Sequence, residues 1–192
     1  DHRRRRHGDG FADGGLGGDA LNEAVLETGQ SLHQYSDQFL RVIENETAAT
    51  LQMGEGRLAW DDFEHMFQKI TLQVIFGAGV DDPSMTDELW KMMHESNRSF
   101  ALGKSKFFDD FYARVRRYLQ EARASSLAFL CSHVPATEVT KVENQIPHWM
   151  FAMGETLATN TARALALIVA HPAAEARVRE EMGRADLSFA EG

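Results

Sequence analysis

The segment from Gln145 to Met182, QIPHWMFAMGETLATNTARALALIVAHPAAEARVREEM, constrains the fold more than any other part of the sequence. Its apolar residues recur at steps of three and four, the spacing of residues that share one face of a helix. An acid–hydroxyl pair, Glu155–Thr156, lies in the apolar middle of this run. Pro172 fits the first turn of a following helix, because the N–H that proline lacks has no partner there. The segment therefore predicts a long helix, a break at Pro172 and a charged second helix.

The rest of the chain also predicts helices. It contains only four prolines, and the alternation of β-branched residues that is typical of strands is nearly absent. The sequence therefore predicts an all-α fold. Glycines predict a loop over residues 8–18 and helix ends at residues 54 and 77. We expect helices over about 22–52, with a weak point at Gly29, and over about 61–76, 86–100, 107–124 and 125–131.

Composition limits the classes of function. A chain of 192 residues is long enough for one domain. Its formal net charge of −9 disfavours nucleic-acid binding, and the run Arg3–Arg6 is the one local exception. No apolar run approaches the ~20 residues that span a bilayer, and no signal peptide is visible. The single cysteine, Cys131, cannot form an internal disulfide and is interpreted as a buried small residue. These features predict a cytoplasmic protein that binds no membrane.

One face of the long helix carries most of its polar residues. Periodicity alone favours a solvated polar stripe on that face. The small residues Ala152, Gly154 and Ala158 favour a second interpretation, in which a flat cofactor approaches the helix closely. The residues that share the face are Ala152, Glu155, Thr156, Thr159, Asn160 and Arg163.

The sequence AMGETL, residues 152–157, resembles the distal-side helix of the cytochrome P450 family, which carries Ala/Gly-Gly-x-Asp/Glu-Thr-Thr/Ser. Ala152, Glu155 and Thr156 match this pattern. Met153 replaces the usual glycine and leaves the local shape of the helix open, and Leu157 replaces the second hydroxyl. The continuation RALALIVAHP and AAEARVREEM is similar to the family's next segment.

The resemblance implies roles for individual residues. In the family, the acid–alcohol pair delivers protons to dioxygen bound at the haem, so Glu155 would relay protons and Thr156 would be the hydroxyl. Thr159 stays an alternative hydroxyl, and Ala152 would lie against the haem. His2 and Arg6 have the His-x-x-x-Arg spacing of the family's contact with the haem propionates, because residues four apart share a helix face. The resemblance implies no metal ligand in this chain.

The helix pair around residues 90–122 resembles the family's lid over the substrate pocket. Phe100, Leu102 and Phe107 would line that pocket, although core packing explains aromatic residues at helical spacing equally well.

Taken together, the resemblance predicts the helical portion of the cytochrome P450 fold, in which a long central helix is packed by flanking helices and the sheet region is largely missing. Residues 1–192 would be part of a single domain, truncated at both ends, without the Glu-x-x-Arg helix and the haem-ligating Cys loop. The parent would be a soluble bacterial-type monooxygenase that uses haem b, dioxygen, a small organic substrate and a redox partner such as ferredoxin and its reductase. We expect this chain alone to be inactive. The alternative is a non-catalytic helical bundle that acts through protein contacts.

Overall fold

A computed structural model of the chain describes residues 15–98, 105–134 and 141–184. Within these ranges the regular structure is entirely helical, and no strand occurs. The predicted all-α class is therefore confirmed. None of the helices in the described ranges is long and apolar enough to cross a membrane.

The α-helices of the described ranges are numbered here in chain order. They are α1 (Gly15–Leu26), α2 (Ser36–Met53), α3 (Trp60–Phe76), α4 (Pro83–Arg98), α5 (Phe108–Gln120), α6 (Leu127–Cys131), α7 (Ile146–Phe151), α8 (Ala158–Ala170) and α9 (Pro172–Met182). A short 3₁₀ turn, Val142–Asn144, precedes α7, and a π-helical segment, Ala152–Leu157, joins α7 to α8.

The N-terminal third differs most from the sequence prediction. The helix predicted over residues 22–52 is two helices, and they separate around Gly29, the weak point of the prediction; Glu27 adopts a left-handed backbone conformation with φ of 50° just after α1. Residues 15–18, predicted as a loop, are helical. We attribute this to tertiary packing, since Leu21 and Val25 of α1 are buried in the core and burial outweighs the poor helix propensity of glycine. The remainder of the predicted loop, residues 8–14, lies outside the described residues.

Helix α3 begins and ends close to its predicted limits. Gly77 follows it with φ of 113°, a conformation that side-chain-bearing residues rarely adopt. A Cβ atom at this position would also lie only 2.5 Å from the Cβ of Arg123. The glycine therefore ends the helix and allows the α5–α6 connection to approach it.

The limits of α4, α5 and α6 shift by a few residues. Helix α4 begins at Pro83, three residues before the predicted start at Thr86, because proline is accommodated in the first turn of a helix. Helix α5 ends at Gln120, and α6 begins after Ser126. The Ser126 hydroxyl accepts a hydrogen bond from the backbone N–H of Phe129 at 3.1 Å and caps α6. The N-cap therefore sets where α6 begins.

The core centres on α3. Every residue from Ile70 to Phe76 is buried, and the ring of Phe76 stacks on Tyr118 of α5 with centroids 5.0 Å apart. A buried carboxylate, Asp82, connects the start of α4 to α5. It accepts hydrogen bonds from Arg114 Nη1 at 3.1 Å and from the Tyr118 hydroxyl at 3.0 Å. Helix α3 is thus enclosed by neighbours along its C-terminal half.

The long central helix runs from α7 through the π segment into α8. Its first turns are fixed to the core, since Ile146, Trp149 and Met150 are buried. The indole N–H of Trp149 donates to Asn22 Oδ1 of α1 at 3.0 Å. The break predicted at Pro172 is confirmed, because α8 ends at Ala170 and α9 begins at Pro172.

Candidate functional site

The predicted acid–hydroxyl pair lies in the distorted part of the central helix. Glu155 and Thr156 both belong to the π-helical segment, which has the wider turn of i to i+5 hydrogen bonding. The sequence left the local helix shape open at Met153, and the structure resolves it as this π turn. Such segments inside α-helices frequently occur at functional sites.

The π segment rests on α3 at its one glycine. Gly154 is buried, and a Cβ atom placed on it would lie 3.7 Å from the Thr71 hydroxyl oxygen. The absence of a side chain at Gly154 therefore brings the distorted backbone close to α3. On either side of this contact, Glu155 is half-buried and Thr156 is exposed.

The predicted polar face is confirmed for the turns around Glu155 and beyond it. These residues line one shallow surface depression of about 220 Å³, formed by Phe151, Glu155, Thr156, Thr159, Asn160 and Arg163. Thr156, Asn160 and Arg163 are exposed, whereas Glu155 and Thr159 are half-buried. Ala152, one turn earlier, is also half-buried. In this structure the face is therefore a solvated stripe, as periodicity alone favours.

Glu155 has an altered acidity. Partial burial raises the pKa of its carboxyl group above the usual value, and the nearby carboxylate of Glu64 raises it further, while His94 has the opposite, smaller effect. Glu64 lies on α3 and His94 on α4, so three helices set the proton affinity of this group. A raised pKa makes the protonated form of this carboxyl group more accessible than that of an ordinary glutamate.

Glu155 also lines a second, internal cavity between the π segment, α3 and α4. This cavity is small, about 10 Å³, and Gln68, Thr71, Thr86 and Gly154 are among its lining residues. Thr71 is not among the site residues predicted from the sequence. In the sequence Thr71 stands out only as a hydroxyl among the apolar residues near the end of α3. That local pattern does not indicate which helix packs against it.

Few of the residues that would lie on the opposite side of a haem belong to the described ranges. His2 and Arg6 lie outside the described residues. Cys131, on α6, is buried as predicted, and desolvation raises the pKa of its thiol to about 12. Cys131 belongs to the hydrophobic core cluster, as expected for a buried small residue.

Only part of the predicted substrate lid can be located. Phe100 and Leu102 lie outside the described residues. Phe107 is half-buried just before α5, with the Lys91 ammonium 5.4 Å and the Lys106 ammonium 4.9 Å from its ring centroid. The contacts of Phe107 are therefore with cationic side chains, and its role in a pocket stays a prediction.

No cluster of three or more His, Cys, Asp or Glu side chains within the described ranges is arranged to hold a metal ion. Comparison of the chain with models of protein families, with curated proteins and with solved structures finds no match. The resemblance of residues 152–157 to the cytochrome P450 distal helix therefore stays a prediction.

Proposed function

We propose that this chain forms the distal oxygen-activation helix and the substrate lid of a haem-thiolate monooxygenase of the cytochrome P450 family. The parent enzyme would insert one oxygen atom from dioxygen into a small organic substrate, with electrons from NAD(P)H delivered through a redox partner such as ferredoxin. One observation carries the proposal: the Glu155–Thr156 pair coincides with a π-helical segment in the middle of a long helix. Segments of this kind inside α-helices occur frequently at functional sites.

The proposed roles follow from the chemistry of the two side chains. The raised pKa of Glu155 favours a carboxyl group that exchanges protons with solvent. Thr156 is exposed next to it and presents a hydroxyl that both donates and accepts hydrogen bonds. Ala152 lies on the preceding turn, where a small side chain leaves room for a flat cofactor. Together these residues would bind water, orient it and move protons along the helix face.

The fit of haem b to this chain is partial. The small and hydroxyl residues of the central helix suit the distal side, where haem would supply the oxygen chemistry when bound. The only cysteine of the chain, Cys131, is a buried member of the hydrophobic core, which does not suit an axial ligand that must face a haem. The proposal therefore needs an axial cysteine that this sequence does not contain, and the chain alone is expected to be inactive.

A second candidate function is a non-catalytic helical protein that acts through protein contacts. It is favoured by the apolar residues that α8 exposes to solvent, among them Leu165 at 50%, Leu167 at 62% and Val169 at 66%. Exposed apolar patches of this kind often mark protein–protein contacts. This alternative needs neither haem nor a proton relay.

A carbon-monoxide difference spectrum separates the two candidates. The chain would be produced in frame with the coding sequence that flanks it, reduced, and exposed to carbon monoxide. The monooxygenase proposal expects haem uptake and the absorption band that is diagnostic of thiolate ligation. Failure of the extended protein to take up haem would contradict it. The 192-residue chain alone is expected to give no such band, and Cys131→Ala should leave that result unchanged.

The role of the hydroxyl is tested in the same haem-loaded protein. Thr156→Val keeps the shape of the side chain and removes the hydroxyl, so product formed per NAD(P)H consumed should fall roughly a hundredfold or more, the usual contribution of a positioned proton-transfer group. Thr156→Ser keeps the hydroxyl and should retain most of the coupling. If Thr159→Val has the larger effect, the alternative hydroxyl is the correct one.

A further inference from the structure

The hydroxyl group of Thr71 is buried without a partner. Thr71 lies on α3 with 3% of its surface exposed, and its Oγ1 atom has no hydrogen-bond partner among the described protein atoms. Buried hydroxyl groups are nearly always hydrogen-bonded, because their removal from water is otherwise unfavourable. The position therefore calls for a hydrogen-bonding group that the neighbouring side chains do not supply.

The Thr71 hydroxyl lies opposite the π segment. The nearest atom to a Cβ built on Gly154 would be Thr71 Oγ1, at 3.7 Å. An alanine at position 154 would thus fit without a clash but would fill the space in front of the hydroxyl. Water beside the backbone hydrogen-bond ladder is also a known cause of local helix distortion. The glycine and the π turn together leave room beside this one polar atom.

The space that remains has the size of a water site, and its wall is mostly apolar with a few polar side chains. The cavity of about 10 Å³ has room for roughly one water molecule. Its wall includes polar side chains from three helical elements, namely Gln68 and Thr71 of α3, Thr86 of α4 and Glu155 of the π segment. A buried water typically needs two to four polar partners, and this wall offers that many.

We propose that Thr71 and Glu155 hold one ordered water molecule between α3 and the π segment. The water accepts the hydrogen bond of the Thr71 hydroxyl and contacts the inner side of Glu155, whose outer side borders the depression with Thr156. It thereby joins the π segment to α3 and gives Glu155 a protein-side partner for proton exchange. This site requires no haem, so the test of the bound water is independent of the proposed oxygenase function.

Magnetic relaxation dispersion of the water signal tests the proposal on the chain itself, because it counts water molecules that stay bound for long times. The wild-type protein should show one more long-lived water than Thr71→Val, which keeps the side-chain shape and removes the hydroxyl. Thr71→Ser keeps the hydroxyl and should keep the water. Gly154→Ala should lose the water by filling its space, and it provides the same comparison if Thr71→Val does not fold.

Chemical unfolding is a second measurement. The effect of Thr71→Val on the unfolding equilibrium constant has one sign if the hydroxyl binds water and the opposite sign if it is dry. If the hydroxyl binds water, Thr71→Val should raise the unfolding equilibrium constant about two- to tenfold, the usual contribution of one hydrogen bond. If the hydroxyl is dry, the same substitution removes an unpaired polar group and should lower that constant. An unchanged count of long-lived waters in both Thr71→Val and Gly154→Ala overturns the proposal.

Discussion

Helices α3 and α8 have similarly apolar sequences and opposite environments. The end of α3, residues 70–76, is buried on every side, and Leu72 has 1% of its surface exposed. In α8 only Ala158 is buried, and Leu167 is 62% exposed. The buried residues of α3 extend from Phe63 to Phe76, whereas Ala158 is the first residue of α8. Apolar composition therefore does not determine which of the two helices is covered.

The contrast extends to the polar groups beside each helix. Asp82 is enclosed between α4 and α5 and accepts hydrogen bonds from Arg114 and Tyr118. On α9, which follows α8, Glu175 and Arg179 form a solvent-exposed ion pair, with 2.8 Å between Arg179 Nη2 and Glu175 Oε1. The α3 region thus combines apolar burial with a partly enclosed ion pair, whereas the α8–α9 region has neither. Substitutions in matched pairs should separate the two environments.

The largest expected difference is in thiol reactivity. Burial raises the pKa of the Cys131 thiol from 9.0 to about 12, so the reactive thiolate is depleted roughly a thousandfold near neutral pH. A cysteine introduced by Leu167→Cys in a Cys131→Ala background is expected to react as an exposed thiol. Labelling with a chromogenic thiol reagent under native conditions measures both rates. Equal rates would contradict the burial of α6.

The same shift predicts a pH dependence of stability. Between about pH 9 and about pH 12 the unfolded chain ionises its thiol and the folded chain does not, so this contribution to stability is lost as the pH rises. Cys131→Ala should reduce the loss of unfolding free energy over that window. The control is the same pair of proteins compared at neutral pH, where no such pH-dependent difference is expected.

The next largest effect concerns identical truncations in the two helices. Leu72→Ala should lower the free energy of unfolding by about 2–5 kcal/mol, because it leaves a cavity in a packed core. Leu167→Ala removes the same atoms from an exposed position and should change it by less than about 0.5 kcal/mol. Denaturant titration of both variants measures the difference. A large loss for Leu167→Ala would mean that α8 is covered in solution.

A smaller loss of unfolding free energy is expected when one acidic side chain in each region is replaced by its amide. Asp82→Asn weakens the charged hydrogen bonds to Arg114 and Tyr118 and should lower the free energy of unfolding by about 1.5–3 kcal/mol. Glu175→Gln disrupts an ion pair whose arginine is 75% exposed and should cost less than about 0.5 kcal/mol. Thermal or denaturant unfolding compares them, and similar losses for the two would refute the contrast between the regions.

The smallest effect on folding is expected from the α8 surface itself. Replacing Leu165, Leu167 and Val169 together with glutamine should leave the free energy of unfolding of the dilute protein nearly unchanged, since exposed positions typically contribute less than about 0.5 kcal/mol each. The same variant should associate less with itself, because exposed apolar patches promote contact. Analytical ultracentrifugation over a concentration series measures this. Unchanged association would show that these side chains contribute no contact.

The sequence predicted the helical class and most helix ends, because both depend on residues near each other in the chain. Glycine after Phe76 and Pro172 at the start of α9 are examples of local signals that the structure confirms. The loop predicted over residues 15–18 was wrong, since the burial of Leu21 and Val25 is a tertiary effect. For the candidate site, the sequence identified Glu155, Thr156 and their shared face. It did not identify Thr71, which meets Gly154 only after two distant segments pack together.

By itself, then, the sequence determined where helices form and which residues share a face, because backbone hydrogen bonds and the helical repeat act over a few residues. The tertiary structure decided which apolar helix is buried, how the middle of the central helix is distorted, and which groups alter the acidity of Glu155. Burial and electrostatic effects require partners from distant parts of the chain, and local pattern does not specify those partners. The neighbours on α3 and α4 are what make Glu155 different from any other glutamate in an exposed helix.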